Sequence, residues 1–185
     1  MICLTKSCRA CAGTASNIKF GYISFLSSRL IDDLKPVRLT MLDSPVVPRL
    51  SKSQTEFIDV TDEVQEVIDK SGIREGWVLV YAPHTSMGII VNHNEPMLLQ
   101  DFMRVMHKLV PLEDSYSHDL FELRRGIKSD GRSNGHSHCK SFITGISQTI
   151  PLEKGKLMLT SRQNIFAVEF DGGRKRDLLV QVVGI

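Results

Sequence analysis

The stretch Trp77-Val78-Leu79-Val80-Tyr81-Ala82-Pro83-His84-Thr85-Ser86-Met87-Gly88-Ile89-Ile90-Val91 holds two unbroken apolar runs on either side of a polar turn. Apolar runs of this length read as buried strands. The turn between them therefore projects His84, Thr85 and Ser86 from a rigid base. A histidine so placed is either a functional group or a buried imidazole satisfied by its neighbours.

Working outward, Thr55-Glu56-Phe57-Ile58-Asp59-Val60 predicts another strand, and Thr61-Asp62-Glu63 opens a helix. Thr61 is the expected N-cap, with two carboxylates facing the positive end of the helix dipole. Val64, Val67 and Ile68 form its apolar stripe, and Gly72 marks its end. Downstream, Pro96 suits the first turn of a second helix that carries Met97, Leu98, Phe102, Val105, Met106 and Leu109 at helical spacing, and Pro111 ends it.

Residues 111–135 are irregular and polar, a length of loop that compact domains rarely carry without a functional reason. Four short runs follow: Ser147-Gln148-Thr149-Ile150-Pro151-Leu152, Lys156-Leu157-Met158-Leu159-Thr160, Ile165-Phe166-Ala167-Val168-Glu169-Phe170 and residues 177–183. Glu153-Lys154-Gly155 predicts a hairpin turn between the first two. The closing run of antiparallel strands marks an α+β fold, distinct from the strict alternation of a doubly wound sheet. No internal repeat is visible.

Composition narrows the function classes. The chain has 185 residues, 42% hydrophobic and 24% charged, as in a soluble globular domain. No apolar run approaches the roughly 20 residues of a membrane-spanning helix. Lys+Arg of 23 against Asp+Glu of 21 is too even for bulk electrostatic binding of nucleic acid. An anionic ligand would have to be held by a local cluster.

Cys3, Cys8 and Cys11 lie together at the start of the chain and Cys139 lies alone, which is not the spread of a disulfide framework. The body reads as a reduced, cytoplasmic-type domain. The first thirty residues contain Lys6, Arg9, Lys19 and Arg29, many serines and no acidic residue. That composition suits an organellar transit peptide, a disordered extension, or upstream codons before a start near Met41. Residues 1–44 are therefore expected to be an extension and 45–185 the folded domain, with Ser44-Pro45-Val46-Val47-Pro48 as the linker.

Further candidates lie beyond the His-Thr-Ser turn. His118 sits beside Asp119 in the long loop. His136, His138 and Cys139 crowd into Ser133-Asn134-Gly135-His136-Ser137-His138-Cys139-Lys140. Phe142, Ile143 and a stop at Gly145 favour a short helix beginning near Ser137, and in a helix residues two apart point about 200° apart. His136 and His138 then cannot share one ion, and Cys139 is expected to pack inward. Glu169 and Asp171 alternate with apolar neighbours and lie on one face of a strand end, followed by Gly172-Gly173 and the cations Arg174, Lys175 and Arg176.

These pieces in this order resemble the YjbQ-like family, also called secondary thiamine-phosphate synthase enzymes. The matching residues are Ile58-Asp59-Val60-Thr61, Pro83-His84-Thr85-Ser86-Met87-Gly88-Ile89, Asn94-Glu95, Leu109-Val110-Pro111, Tyr116-Ser117-His118-Asp119, Asn134-Gly135-His136-Ser137-His138-Cys139-Lys140, Gly155-Lys156-Leu157-Met158-Leu159, Gln163-Asn164-Ile165-Phe166 and Glu169-Phe170-Asp171-Gly172 with Arg174 and Arg176. They span about residue 45 to the end of the chain. The resemblance implies one α+β domain, a two-sheet β-sandwich of about seven strands with two or three helices, assembled as a homotrimer.

It also implies a zinc-like divalent metal held by His84, His118 and His138, three imidazoles that leave a coordination position open. The activity it implies condenses a hydroxymethylpyrimidine pyrophosphate with a thiazole phosphate and releases pyrophosphate, with Mg as a further cation for the pyrophosphate substrate. On this reading Glu95, Glu169 and Asp171 are the candidate catalytic carboxylates. Thr85, Ser86, Asn94, Arg162, Arg174 and Arg176 are the candidate contacts to a small phosphorylated molecule. Where the family usually has Gly-Thr-Trp-Gln, this chain reads Thr160-Ser161-Arg162-Gln163, which replaces a glycine and a tryptophan and introduces Arg162. The alternatives are a non-catalytic trimeric metal- or ligand-binding protein and a small metal-dependent hydrolase.

Overall fold

The computed structural model describes residues 39–42, 55–120 and 131–185. The expectations for Cys3, Cys8, Cys11, the basic extension and the Pro45 to Pro48 linker lie outside the described residues. In chain order the elements are β1 (Leu39–Leu42), β2 (Glu56–Asp59), α1 (Thr61–Ser71), β3 (Gly76–Tyr81), β4 (Met87–Asn92), α2 (Pro96–Leu109), a 3₁₀ turn (Ser117–Asp119), α3 (Gly135–Thr144), β5 (Ser147–Glu153), β6 (Lys156–Leu157), β7 (Asn164–Glu169) and β8 (Leu178–Gly184).

The strands form two antiparallel sheets, one ordered β1-β8-β3-β5-β6 and the other β2-β7-β4. This is the α+β two-sheet architecture expected. The two apolar runs of the opening stretch fall in different sheets: β3 pairs with β5 and β8, and β4 pairs with β7. Residues 82–86 are thus a crossing between layers, so the polar turn emerges at the edge of the sandwich. β1 pairs with β8 in the register Leu39↔Gln181 to Leu42↔Leu178. The sheet therefore starts within the segment assigned by sequence to the extension.

The main core lies between the sheets and α1. Val78, Val80, Ile89, Ile150, Ala167 and Val180 meet Val64, Val67 and Ile68 there, all nearly inaccessible to water. Burial on this scale, at roughly 25 cal/mol per Å² of apolar surface, is the main source of the fold's stability. The other face of the small sheet carries Phe166, Val168 and Phe170, covered by Leu99 and by Phe102, whose ring meets Phe57 edge-on at 5.4 Å.

Local signals held with two adjustments, to the N-cap of α1 and the stripe of α2, and the predicted hairpin turn is present. Val60, not Thr61, is the N-cap of α1; the Thr61 hydroxyl instead donates to Asp59 Oδ1 at 2.6 Å and accepts from the Ile165 amide. The apolar stripe of α2 is only partly buried: Met106 is buried, whereas Met97, Val105 and Leu109 face outward. Its apolar positions spread over more of the helix than one sheet face can cover. The β5–β6 turn is formed by Lys154 (φ 52°) and Gly155 (φ 77°), two consecutive left-handed residues that match the twist of a tight hairpin.

Candidate functional site

The site is assembled around α3. That helix starts at Gly135, two residues before the expected Ser137. Its first amides are held by Asp119, whose Oδ1 accepts from the Asn134 amide at 3.0 Å and the Gly135 amide at 2.9 Å. The residue next to His118 thus clamps the start of the helix that carries His138. The His118 and His138 rings stand 4.6 Å apart in an edge-to-face arrangement.

Two serines one turn apart dock α3 on the sandwich. Ser137 Oγ donates to the Phe170 carbonyl and Ser141 Oγ to the Met87 carbonyl, both at 2.5 Å. Their spacing of four residues sets both hydroxyls on one side of the helix. The result is a helix with its polar side inward. His136, Ser137, Lys140 and Ser141 are buried, while Phe142 is 89% exposed and Ile143 52%. One expectation is corrected by this orientation: Cys139 is exposed, not packed inward, while His136 beside it is buried.

His138 Nδ1 donates to the Thr85 carbonyl at 2.9 Å. A backbone acceptor on Nδ1 places the lone pair on Nε2, the usual outer hydrogen bond of a metal-binding imidazole. His84 Nε2 lies 3.1 Å from both the main-chain amide and the main-chain carbonyl of Asp177, and in the tautomer whose Nε2–H donates to that carbonyl the lone pair is on Nδ1. His84, Thr85 and His138 line one cleft of about 380 Å³, with Ser141, Phe142, Gly145 and Ile146 completing it. Of the three histidines named from sequence, His138 meets His118 in a ring contact and shares the cleft with His84, while His118 does not line that cleft. Among the described residues, however, no three His, Cys, Asp or Glu side chains lie close enough together to hold a metal ion. The donors fit a zinc-like ion in kind, and the set is not closed.

The remaining candidates are distributed differently. Arg176 is buried and grips Glu169 with two bonds, Nε to Oε2 at 2.5 Å and Nη2 to Oε1 at 2.7 Å; Nη2 also donates to Ser86 Oγ at 2.9 Å. Glu169 Oε1 further accepts from the amides of Phe170 and Asp171. This network ties the His-Thr-Ser turn to the end of β7. Arg174 pairs with Asp171 at 2.7 Å, and Asn134 donates to the same Asp171 oxygen at 3.1 Å.

Glu95 caps α2, its carboxylate accepting from the amides of Met97 and Leu98 at 2.9 and 2.6 Å. Asn94 donates to Asp59 Oδ2 at 2.9 Å. Thr85 and Arg162 are exposed, and Arg162 does not line the histidine cleft.

A family model described as UPF0047 protein YjbQ-like matches residues 48–185. The chain belongs to the YjbQ-like UPF0047 family. A UPF0047 protein of Archaeoglobus fulgidus is 38% identical over 130 residues, covering 70% of this chain and 93% of that one. The YugU protein of Bacillus subtilis is 35% identical over 130 residues, covering 70% and 90%. A solved protein of Sulfolobus solfataricus, described as of unknown function, superposes with a TM-score of 0.69 at 29% identity, over 81% of this chain and all of that one. A Clostridium acetobutylicum member, described as an uncharacterised conserved protein, gives 0.63 at 33% identity over 79% and 99%. The names of these YjbQ-like proteins state no activity. No helix among the described residues is long and apolar enough to cross a membrane.

Proposed function

We propose that this YjbQ-like protein is a metal-dependent enzyme of thiamine-phosphate synthase type, in which His84, His118 and His138 hold a zinc-like divalent ion. The observation that carries the reading is His138: its Nδ1 is committed to the Thr85 carbonyl, and its ring lies 4.6 Å from that of His118. Such an ion would polarise a substrate oxygen or activate a water. The chain's own residues do the positioning. Thr85 orients His138, the Asp177 carbonyl orients His84 by accepting from its Nε2–H, and Asp119 seats the helix beside His118.

The Arg176–Glu169–Ser86 network holds the turn rigid, which suits a site whose geometry must not relax. Exposed Lys175 and Mg carried with the pyrophosphate are the counter-charges for the leaving group. The working form is a homotrimer. Phe142 at the cleft and its neighbour Ile143, both apolar and turned to solvent, support that partner because such side chains are normally covered.

The test is pyrophosphate release from hydroxymethylpyrimidine pyrophosphate and thiazole phosphate by zinc-loaded protein. Release that is lost in His138→Ala is expected. Stoichiometric zinc without any release would favour the non-catalytic binding protein instead. A single-chain mass by light scattering would remove the trimer.

A further inference from the structure

The cleft between His84 and His138 carries no charged side chain. Besides the two histidines its lining is Thr85, Ser141, Phe142, Gly145 and Ile146, with no Lys, Arg, Asp or Glu among the described residues. Its hydrogen-bonding groups are largely committed. Ser141 Oγ donates to the Met87 carbonyl and His138 Nδ1 to the Thr85 carbonyl, so the cleft offers imidazole lone pairs and the exposed Thr85 hydroxyl. The remaining wall is apolar: Phe142 is 89% exposed and Ile146 36%, and a Cβ at Gly145 would meet nothing within 4 Å.

Apolar walls with a few placed polar groups are the usual make-up of a small-molecule site, in which the polar groups fix orientation. The volume of about 380 Å³ has room for about a dozen non-hydrogen atoms, at the roughly 30 Å³ that one water occupies. An anion entering this space would give up its water with no lysine or arginine to replace the lost solvation. Arg176 is held by Glu169, and Arg162 is not among the lining residues. An uncharged flat ring loses little solvation and gains an aromatic contact with Phe142.

We infer that the cleft takes an uncharged heteroaromatic ring, walled by Phe142 and Ile146 with one ring heteroatom directed to His84 and His138, and that a phosphate arm of the same molecule stays outside. The inference deepens the proposed function and rests on it for the ion that the heteroatom meets. Phe142 is then the residue that selects a flat ring over a saturated one.

The experiment titrates hydroxyethyl-methylthiazole into the zinc-loaded full chain and follows the Gly145 amide and the Phe142 ring by NMR, with zinc content measured on the same samples. Saturable shifts are expected. The phosphate ester should bind within about threefold of the alcohol, and cyclopentylethanol at least about tenfold more weakly than the thiazole. Phe142→Leu removes the ring and keeps an apolar side chain. It should weaken thiazole binding about three- to tenfold, read at Gly145, with unchanged melting temperature and zinc content. The inference is overturned if the zinc-loaded chain shows no saturable shift, if the phosphate ester binds more than about tenfold more tightly than the alcohol, if cyclopentylethanol binds as well as the thiazole, or if a folded Phe142→Leu binds unchanged. A chain that holds no zinc and still binds the thiazole would remove the metal reading and leave the ring assignment standing.

Discussion

His138 and Thr85 are joined by a 2.9 Å hydrogen bond from an imidazole nitrogen to a main-chain carbonyl, so the helix and the inter-sheet turn share one orienting contact. The contact aims Nε2 of His138 away from the protein backbone. His136, two residues earlier, is held by Ser137 on the other side of the helix. If the metal reading is right, His138→Ala removes most of the bound zinc and His136→Ala removes little. Metal analysis of the two purified variants beside His84→Ala and His118→Ala checks this; equal losses at 136 and 138 would sink it.

Glu169 and Arg176 should be the most sensitive polar pair. Both side chains are more than nine-tenths buried, and each satisfies the other in two bonds. Arg176→Ala leaves a buried carboxylate without its partner, which costs about 3–5 kcal/mol. Urea unfolding of Arg176→Ala, Glu169→Gln and the double variant measures it. A double variant less stable than either single one by the full sum would mean the two residues act independently.

Lys140 is fully buried, and its Nζ has no hydrogen-bond partner among the described residues. Burial pushes its ammonium below the ordinary lysine value of 10.5, with the Glu113 carboxylate acting in the opposite direction. Between the folded value and 10.5 the unfolded chain keeps a proton that the folded chain has released, so stability rises with pH across that window. Lys140→Met should remove this slope and raise stability at pH 7 by roughly 1–3 kcal/mol. The gain should shrink as pH approaches 10.5. Denaturation midpoints from pH 7 to 10 give the answer.

Gly88 is a packing constraint. A Cβ there would stand 2.2 Å from Thr144 Oγ1 and 3.2 Å from the Gly145 carbonyl oxygen, at the junction of β4 and α3. Gly88→Ala should cost about 1–3 kcal/mol by overpacking. Thr144→Ala in the same chain should recover part of that loss, since it deletes the nearer atom. Thermal melts of the single and double variants test the pair.

Strand and helix positions were legible because burial repeats locally along the chain. Val78, Val80, Ile89 and Val91 stand in runs that only an interior strand accommodates, and Pro96 and Gly72 stand at helix ends as expected. The family was legible through the motifs around His84, His118 and His138, each a short stretch with its own signature. The orientation of α3 was not. Its sequence places Phe142 and Ile143 where a core stripe is expected, yet Ser137 and Ser141 bind strand-end carbonyls and turn the polar side inward. A hydrogen-bonded dock between residues 33 and 54 positions apart leaves no periodic trace.

The partner of a charge was equally hidden. Arg174 and Arg176 read as free cations for an anion, and Glu95 as a free carboxylate. The structure gives Arg176 to Glu169, Arg174 to Asp171 and Glu95 to the first amides of α2. The sequence by itself determined the elements, the α+β class and the family, because these depend on local pattern and ordered motifs. Only the tertiary structure decided that the two apolar runs separate into different sheets, that β1 joins the larger one, and which side chains already have partners. Those outcomes depend on contacts between distant residues, and a linear pattern does not encode which of several chemically equivalent partners ends up within 3 Å of another.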